Sequence, residues 1–191
     1  MEQDKLISDL KRGDPKALES LFSVYKDRVF NTSLGYLQNT QDAEEITQDI
    51  FIEIFNSSGK FKGESSLNTW IYRITVNKCL DHIKYLKRKK RFASVVSIFK
   101  PDTGELDIDT ADFIHPGIEI ELKEQSRILF KAVNKLPDNQ KTAFILSKIE
   151  QLSYKEISEV LNCSLSSVES LIYRARQNLI KELSNKFDEL Y

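Results

Sequence analysis

Between Leu67 and Arg91 the chain reads LNTWIYRITVNKCLDHIKYLKRKKR, and on a helical wheel of about 100° per residue these residues sort into two unlike faces. Trp70, Arg73, Asn77, Asp81, Lys84, Arg88 and Arg91 fall within roughly a quarter turn of one another. A solvated helix face usually mixes Glu with Lys, whereas this one begins with the sole Trp of the chain and ends in cations. A ring for a base to stack on, an amide to hydrogen-bond it and cations to neutralise phosphates together suit single-stranded nucleic acid. A basic surface helix with a half-buried Trp at its start would show the same pattern.

A second row lies near the end of the chain, in QLSYKEISEVLNCSLSSVESLIYRARQNLIKEL. Two capping boxes, Ser153 with Glu156 and Ser166 with Glu169, predict two helix starts. The first helix should end near Leu161, and a turn over Asn162 to Leu165 has the length of a helix-turn-helix unit. In the second helix Val168, Leu171, Ile172, Ala175 and Leu179 share the core side. Ser166, Ser167, Ser170, Tyr173, Arg174, Gln177 and Lys181 share the other side, with no acid among them. Short hydroxyls near the helix start, where the backbone comes close, and longer Arg and Gln beyond suit the major groove of duplex DNA. A helical hairpin with a polar outer face is the plainer alternative.

A third row is acidic: Asp42, Glu45 and Asp49 line one stripe of a predicted helix over Asp42 to Phe55. Acids in a first turn complement the helix dipole, but that effect fades before Asp49. A partner with a basic surface accounts for all three. Enzyme chemistry has little to stand on. His82 and His115, the only histidines, have no nucleophile or metal-ligand cluster beside them. Cys79 and Cys163 lack CxxC spacing, so neither zinc nor a disulfide framework is indicated, and no cofactor is expected.

Several helices must position these rows. Leu6, Ile7 and Leu10 predict a short helix closed by Gly13, and Asp14 with Pro15 then supplies a cap and a first-position proline. The helix that follows carries Leu18, Leu21, Phe22, Tyr25, Val29 and Tyr36 at steps of three and four, ending near Leu37. Asn39 and Thr40 break it, and the acidic-striped helix buries Ala43, Ile46, Ile50 and Ile54. Small residues from Asn56 to Ser66 read as a loop, interrupted by Phe61, which serves either as a packing anchor or as a pocket wall for an unstacked base. Thr75, Leu86, Cys79, Tyr72, Ile83 and Val76 form the core side of the basic helix. Periodicity fades after Phe92, and Pro101, Gly104, Pro116 and Gly117 mark a linker to about Ile118. A second all-helical unit starts around Glu119: Leu122, Ile128, Leu129, Val133 and Leu136 share one helix, Pro137 ends it, and Ala143, Phe144, Leu146 and Ile149 mark the next.

With 191 residues, one or two compact domains are expected. A net charge of −1 argues against a protein that coats nucleic acid indiscriminately. The charge is nonetheless segregated: Ile83 to Arg91 holds six Lys or Arg and no acid, and Asp102 to Glu121 holds seven Asp or Glu and no Lys or Arg. The acidic stretch is either a solvated spacer or a strand that mimics nucleic acid in a positive channel. No apolar run approaches a membrane span, the first residues lack the apolar core of a signal peptide, and unpaired cysteines suit a reducing cytoplasm.

Together DAEEITQDIFIEIF, FKGESSLNTWIYRITVNKCLDHIKYLKRKKR and LSYKEISEVLNCSLSSVESLIYRARQNL resemble the bacterial sigma-seventy family of RNA polymerase sigma factors, in its small extracytoplasmic-function group. The resemblance implies an all-α protein of two small helical domains: residues 1–93 as the region 2 bundle, 94–118 as an irregular acidic linker and 119–191 as the region 4 helix-turn-helix. It implies a dissociable initiation factor whose partners are core RNA polymerase, through its clamp helices and flap, promoter DNA and an anti-sigma factor. Asp42, Glu45 and Asp49 match the polymerase-binding helix. Phe61, Lys62, Glu64 and Ser65 match the loop that captures a flipped minus-ten base, Trp70, Arg73 and Asn77 the melted region, and Lys84, Arg88 and Arg91 phosphate contacts. Ser166, Ser167, Ser170, Tyr173, Arg174, Gln177 and Lys181 correspond to the minus-thirty-five reader, although the family often carries Lys or Arg where Glu169 and Leu171 stand. A stand-alone helix-turn-helix regulator of duplex DNA is the rival reading.

Overall fold

The computed structural model describes residues 2–97 and 128–188, with side chains placed over 4–89 and 128–184. The first helix, α1 (Glu2–Lys11), closes on Gly13, whose φ of 76° lies in the left-handed region that a glycine adopts without strain. Asp14 then caps α2 (Pro15–Leu37) by accepting from the Lys16 N–H at 2.9 Å, with Pro15 at the first helical position. Gln38, left-handed at φ 54°, ends α2 by donating its N–H to the Leu34 carbonyl.

The helix α3 (Thr40–Ser57) begins two residues earlier and ends two later than expected. Asn39 is its cap, accepting from the Asp42 N–H at 2.9 Å. A 3₁₀ turn (Ser58–Lys60) follows, and Ser66 accepts from the Thr69 N–H at 3.0 Å to start α4 (Leu67–Ser97). The α4 backbone thus continues past Arg91 and Phe92, beyond the point where apolar periodicity fades. The remaining linker, residues 98–118, and the expected start of the second unit, 119–127, lie outside the described residues.

Leu21, Val29, Ile46, Ile50, Ile54, Ile71, Tyr72, Val76 and Cys79 fill the core of α1 to α4. On α4 the expected core residues Tyr72, Thr75, Val76 and Cys79 are buried, but Leu86 is 37 % exposed. Among the described residues none covers Leu86 fully, whereas Ile71, missing from the expected set, is fully enclosed.

In the second unit residues 128–134 form α5, followed by α6 (Asp138–Lys148), α7 (Tyr154–Leu161) and α8 (Leu165–Asp188). The Ser153 capping box forms: Ser153 Oγ accepts from the Glu156 N–H at 3.3 Å, and Glu156 Oε2 accepts from the Ser153 N–H at 2.9 Å. The second expected box does not set the start of α8. Ser164 does, accepting from the Ser167 N–H at 3.2 Å, so Ser166 sits inside the first turn and the turn is shorter than predicted. Glu169 therefore has no capping role to account for it. Ile157, Val160, Val168, Ile172, Ala175 and Leu179 close this unit, and its buried side chains run continuously into those of α1 to α4.

Candidate nucleic-acid interface

The loop and the first turn of α4 are built as one piece. Phe61 is only 6 % exposed, and its ring packs tilted against Trp70 with centroids 5.0 Å apart. Lys11 places its ammonium 5.9 Å from the Phe61 ring centroid, and Ser58 Oγ donates to the Leu10 carbonyl at 3.0 Å. The end of α1 is thereby tied to the loop. Phe61 is the anchor of the two roles open to it, and the half-buried Trp70 is the ring that reaches the surface. Lys62 and Glu64 are exposed and Ser65 half-buried around it.

Further along α4, Asn77, Asp81, Lys84 and Arg88 are exposed, and Asp81 pairs with Lys84 at 3.1 Å. Arg73 is half-buried: its Nε donates to the Glu159 carbonyl at 3.1 Å, across to α7. The side chain of Arg91 lies outside the described residues. A cleft of about 460 Å³ opens beside Arg73 and Asn77, with Val160 and Leu161 of α7 and Asn162 just past its end as the opposite wall.

The acidic stripe faces elsewhere. Glu45 and Asp49 are exposed on α3 and Asp42 is half-buried, and Ile52 continues the row as an exposed apolar residue. On α8, Ser166, Ser170, Tyr173, Arg174, Gln177 and Lys181 are exposed, whereas Ser167 is half-buried beneath Ser164 Oγ at 2.8 Å.

Sequence reasoning missed the polar groups between the two units. Lys141 is 4 % exposed, donates to the Tyr36 carbonyl at 2.8 Å and also bonds Asn134. Burial pulls its pKa down to about 8. Tyr36 donates to Thr142 Oγ1 at 2.6 Å, and Tyr72 donates to Glu150 Oε2 at 2.5 Å. Burial raises both phenols and the Glu150 carboxyl above their ordinary ranges. The one sequence signal for Lys141 is its place three and four residues before Phe144 and Ile145, on the side of α6 that those apolar residues share.

No group of three or more His, Cys, Asp or Glu among the described residues could hold a metal ion, and no described helix is long and apolar enough to cross a membrane. A helix-turn-helix thus stands beside a helical bundle, with an acid-free row on α8 and a cation-ended row on α4 turned outward, the build of a two-unit all-helical protein. Residues 21–89 match the family described as Sigma-70 region 2, and residues 126–179 match Sigma-70, region 4. The chain is 34 % identical over 174 residues to the ECF RNA polymerase sigma-E factor of Haemophilus influenzae, covering 90 % of each chain. It is 31 % identical over 179 residues to the ECF RNA polymerase sigma factor SigW of Bacillus subtilis, covering 94 % of this chain and 95 % of that one. The fold is shared with CnrH, solved with the cytosolic domain of CnrY, at a TM-score of 0.67, 18 % identity and coverage of 96 % and 97 %. It is also shared with RpoE of Bartonella quintana, solved with the anti-sigma factor NepR, at 0.61, 21 % identity and coverage of 88 % and 98 %.

The chain belongs to the sigma-seventy family of RNA polymerase sigma factors, in its extracytoplasmic-function group. Sigma factors are initiation factors without enzymatic activity, which retires the enzyme alternative, and membership displaces the stand-alone regulator.

Proposed function

We infer that the chain acts in the cytoplasm as a dissociable subunit that directs bacterial core RNA polymerase to a set of promoters and helps open their minus-ten element. Three rows carry the work. Asp42, Glu45 and Asp49 on α3 dock on a basic surface of the core enzyme. Trp70, Arg73, Asn77, Lys84, Arg88 and Arg91 on α4, with Lys62, Glu64 and Ser65 of the loop, hold the unpaired strand. Ser166, Ser167, Ser170, Tyr173, Arg174, Gln177 and Lys181 on α8 read the minus-thirty-five duplex. The working division is residues 1–93, the linker 94–118 and residues 119–191. An anti-sigma factor is the expected inhibitor, since covering either the acidic row or a DNA row silences the chain.

The single observation that carries this reading is that the Trp70 row and the α8 row occupy separate units of one chain. One protein thus holds a stacking surface for single strands and a groove reader for duplex. Energetics require both. Extruding bases costs a few kcal/mol per step, and stacking returns about 1 to 3 kcal/mol per base. One ring cannot offset the opening of several base pairs, so the cations and the core enzyme must share the load. Phe61 acts beneath Trp70, fixing the ring that meets the strand.

The test is run-off transcription from a library of genomic fragments, with core polymerase alone and with the protein added. A reproducible set of new start sites is expected; no promoter-dependent gain would end the reading.

A further inference from the structure

We propose that one flank of α8 is a self-pairing surface, on which two copies of this chain meet antiparallel through Leu165, Glu169, Tyr173, Arg176 and Ile180.

These five residues form a stripe of their own. At about 100° per residue they fall within roughly 80° of one another, between the buried side of α8 and the row assigned to the duplex. Only Tyr173 belongs to both row and stripe. Leu165, Tyr173 and Ile180 are 50 %, 65 % and 59 % exposed, and Glu169 and Arg176 stand exposed between them. Single apolar residues on a surface are ordinary, but three in line on one helix, at every second turn, mark a surface that meets another. No described residue covers them. Where the two units of the chain meet, by contrast, Gly35 lets α2 come so near that an added Cβ would stand 2.7 Å from Ile149 Cδ1.

The charges of the stripe are not used within the chain. Glu169 does not cap α8, because Ser164 does. Neither Glu169 nor Arg176 enters an ion pair or a side-chain hydrogen bond with another described residue. Two turns separate them along α8, about 10 Å, which is beyond the three- and four-residue spacings at which helix side chains meet.

What the stripe does fit is itself, reversed. Its order is apolar, acid, ring, base, apolar, and it is balanced about Tyr173. Laid antiparallel against a copy, Leu165 faces Ile180 and Glu169 faces Arg176. Tyr173 then faces its own counterpart to within one residue rise, about 1.5 Å. The two-fold axis makes each unlike contact twice. A partner of another sequence has no need of an acid and a base at matching distances from one ring, whereas a second copy requires it. A single helix pair falls below the roughly 1,200 Å² of a stable complex, so the pairing is transient and forms at high concentration. It packs Tyr173 away from the groove; that consequence rests on the initiation reading above, and the pairing itself does not.

Sedimentation velocity of the full chain over a concentration series tests the surface. The sedimentation coefficient of the parent should rise with concentration. Glu169→Arg and Arg176→Glu each set like charges opposite one another at both ends of the pair and should weaken association by about tenfold or more. An equal mixture of the two variants should pair again. In the mixed pair the introduced arginine meets the introduced glutamate, and the native Arg176 of one chain meets the native Glu169 of the other. Recovery on mixing also guards against a folding defect, since misfolded chains cannot regain the contact. A parent that stays monomeric throughout, single variants that pair as well as the parent, or a mixture that stays apart overturns the proposal. So does a pattern in which the single variants lose affinity for core polymerase while their self-association is unchanged, because the stripe would then belong to the enzyme. Sedimentation needs neither polymerase nor promoter, so failure here and failure of the run-off test are told apart.

Discussion

Lys141 makes stability depend on pH with a sign opposite to that of most buried acids. Its pKa is about 8 in the folded chain, against an ordinary 10.5, because burial penalises the charge. Between those values the unfolded chain binds the proton that the folded chain has released, so stability rises with pH across the window. From pH 7 to pH 9.5 the gain is about 2 kcal/mol by linkage. Cys79 works against it: its thiol, pushed up to about 12 by burial, stays protonated when folded and lowers stability as pH climbs past 9. Lys87 and Asp138 are the other charges that bear on Lys141. Comparing the parent with Lys141→Met removes these shared contributions. The assay is urea unfolding at constant ionic strength at pH 7, 8, 9 and 9.5. With a slope near 2 kcal/mol per molar, the parent midpoint should gain on that of Lys141→Met by about 1 M over the range. Parallel midpoints for the two proteins would refute the reasoning, because the ammonium would then be solvated rather than sealed against α2.

Phe61→Ala should cost about 3 to 5 kcal/mol in thermal unfolding, the range for emptying an aromatic core site, and should shift Trp70 fluorescence to longer wavelength as the ring loses its support. Ser153→Ala removes the cap of α7 and should cost about 1 kcal/mol. Bonds from the Ser153 hydroxyl and backbone N–H hold the Glu156 carboxyl below its usual range, so its share of stability is present above pH 4.5 and is lost as pH falls further; an acid titration followed by circular dichroism reads the loss in the parent and a smaller loss in the variant, which keeps only the backbone bond. Trp70→Ala with Asn77→Ala should impair strand opening more than docking on polymerase. Permanganate reactivity of the bubble, measured beside polymerase association, separates the two, and equal loss in both counts against the role given to that face.

Much of the fold was legible because its signals are local. Asp14 with Pro15, and Ser153 with Glu156, are read within four residues, and α2 and α7 begin where they say. Where two local signals competed, the choice failed: Ser164 and Ser166 both suit a cap, and the Glu three residues after Ser166 favoured the wrong one. The wheel for α4 put Leu86 in the core because a wheel records direction and not how far along the axis a neighbour extends. The strand-facing row was legible as a row, but the Arg73 bond to α7 was not, since Glu159 is 86 residues away and no period links them. Lys141 was hidden by its type, as a lysine reads as surface unless its helix face is followed through. Gly35 was the overlooked clue, a glycine inside an otherwise regular helix.

That glycine also separates two properties that usually move together. Any larger residue at position 35 improves the intrinsic helicity of α2 while crowding Ile149 and Ile145. Alanine and leucine there would each favour the α2 helix over glycine, while leucine would crowd the second unit more than alanine. A single site thus sets how tightly the two units join without touching any of the rows that face outward.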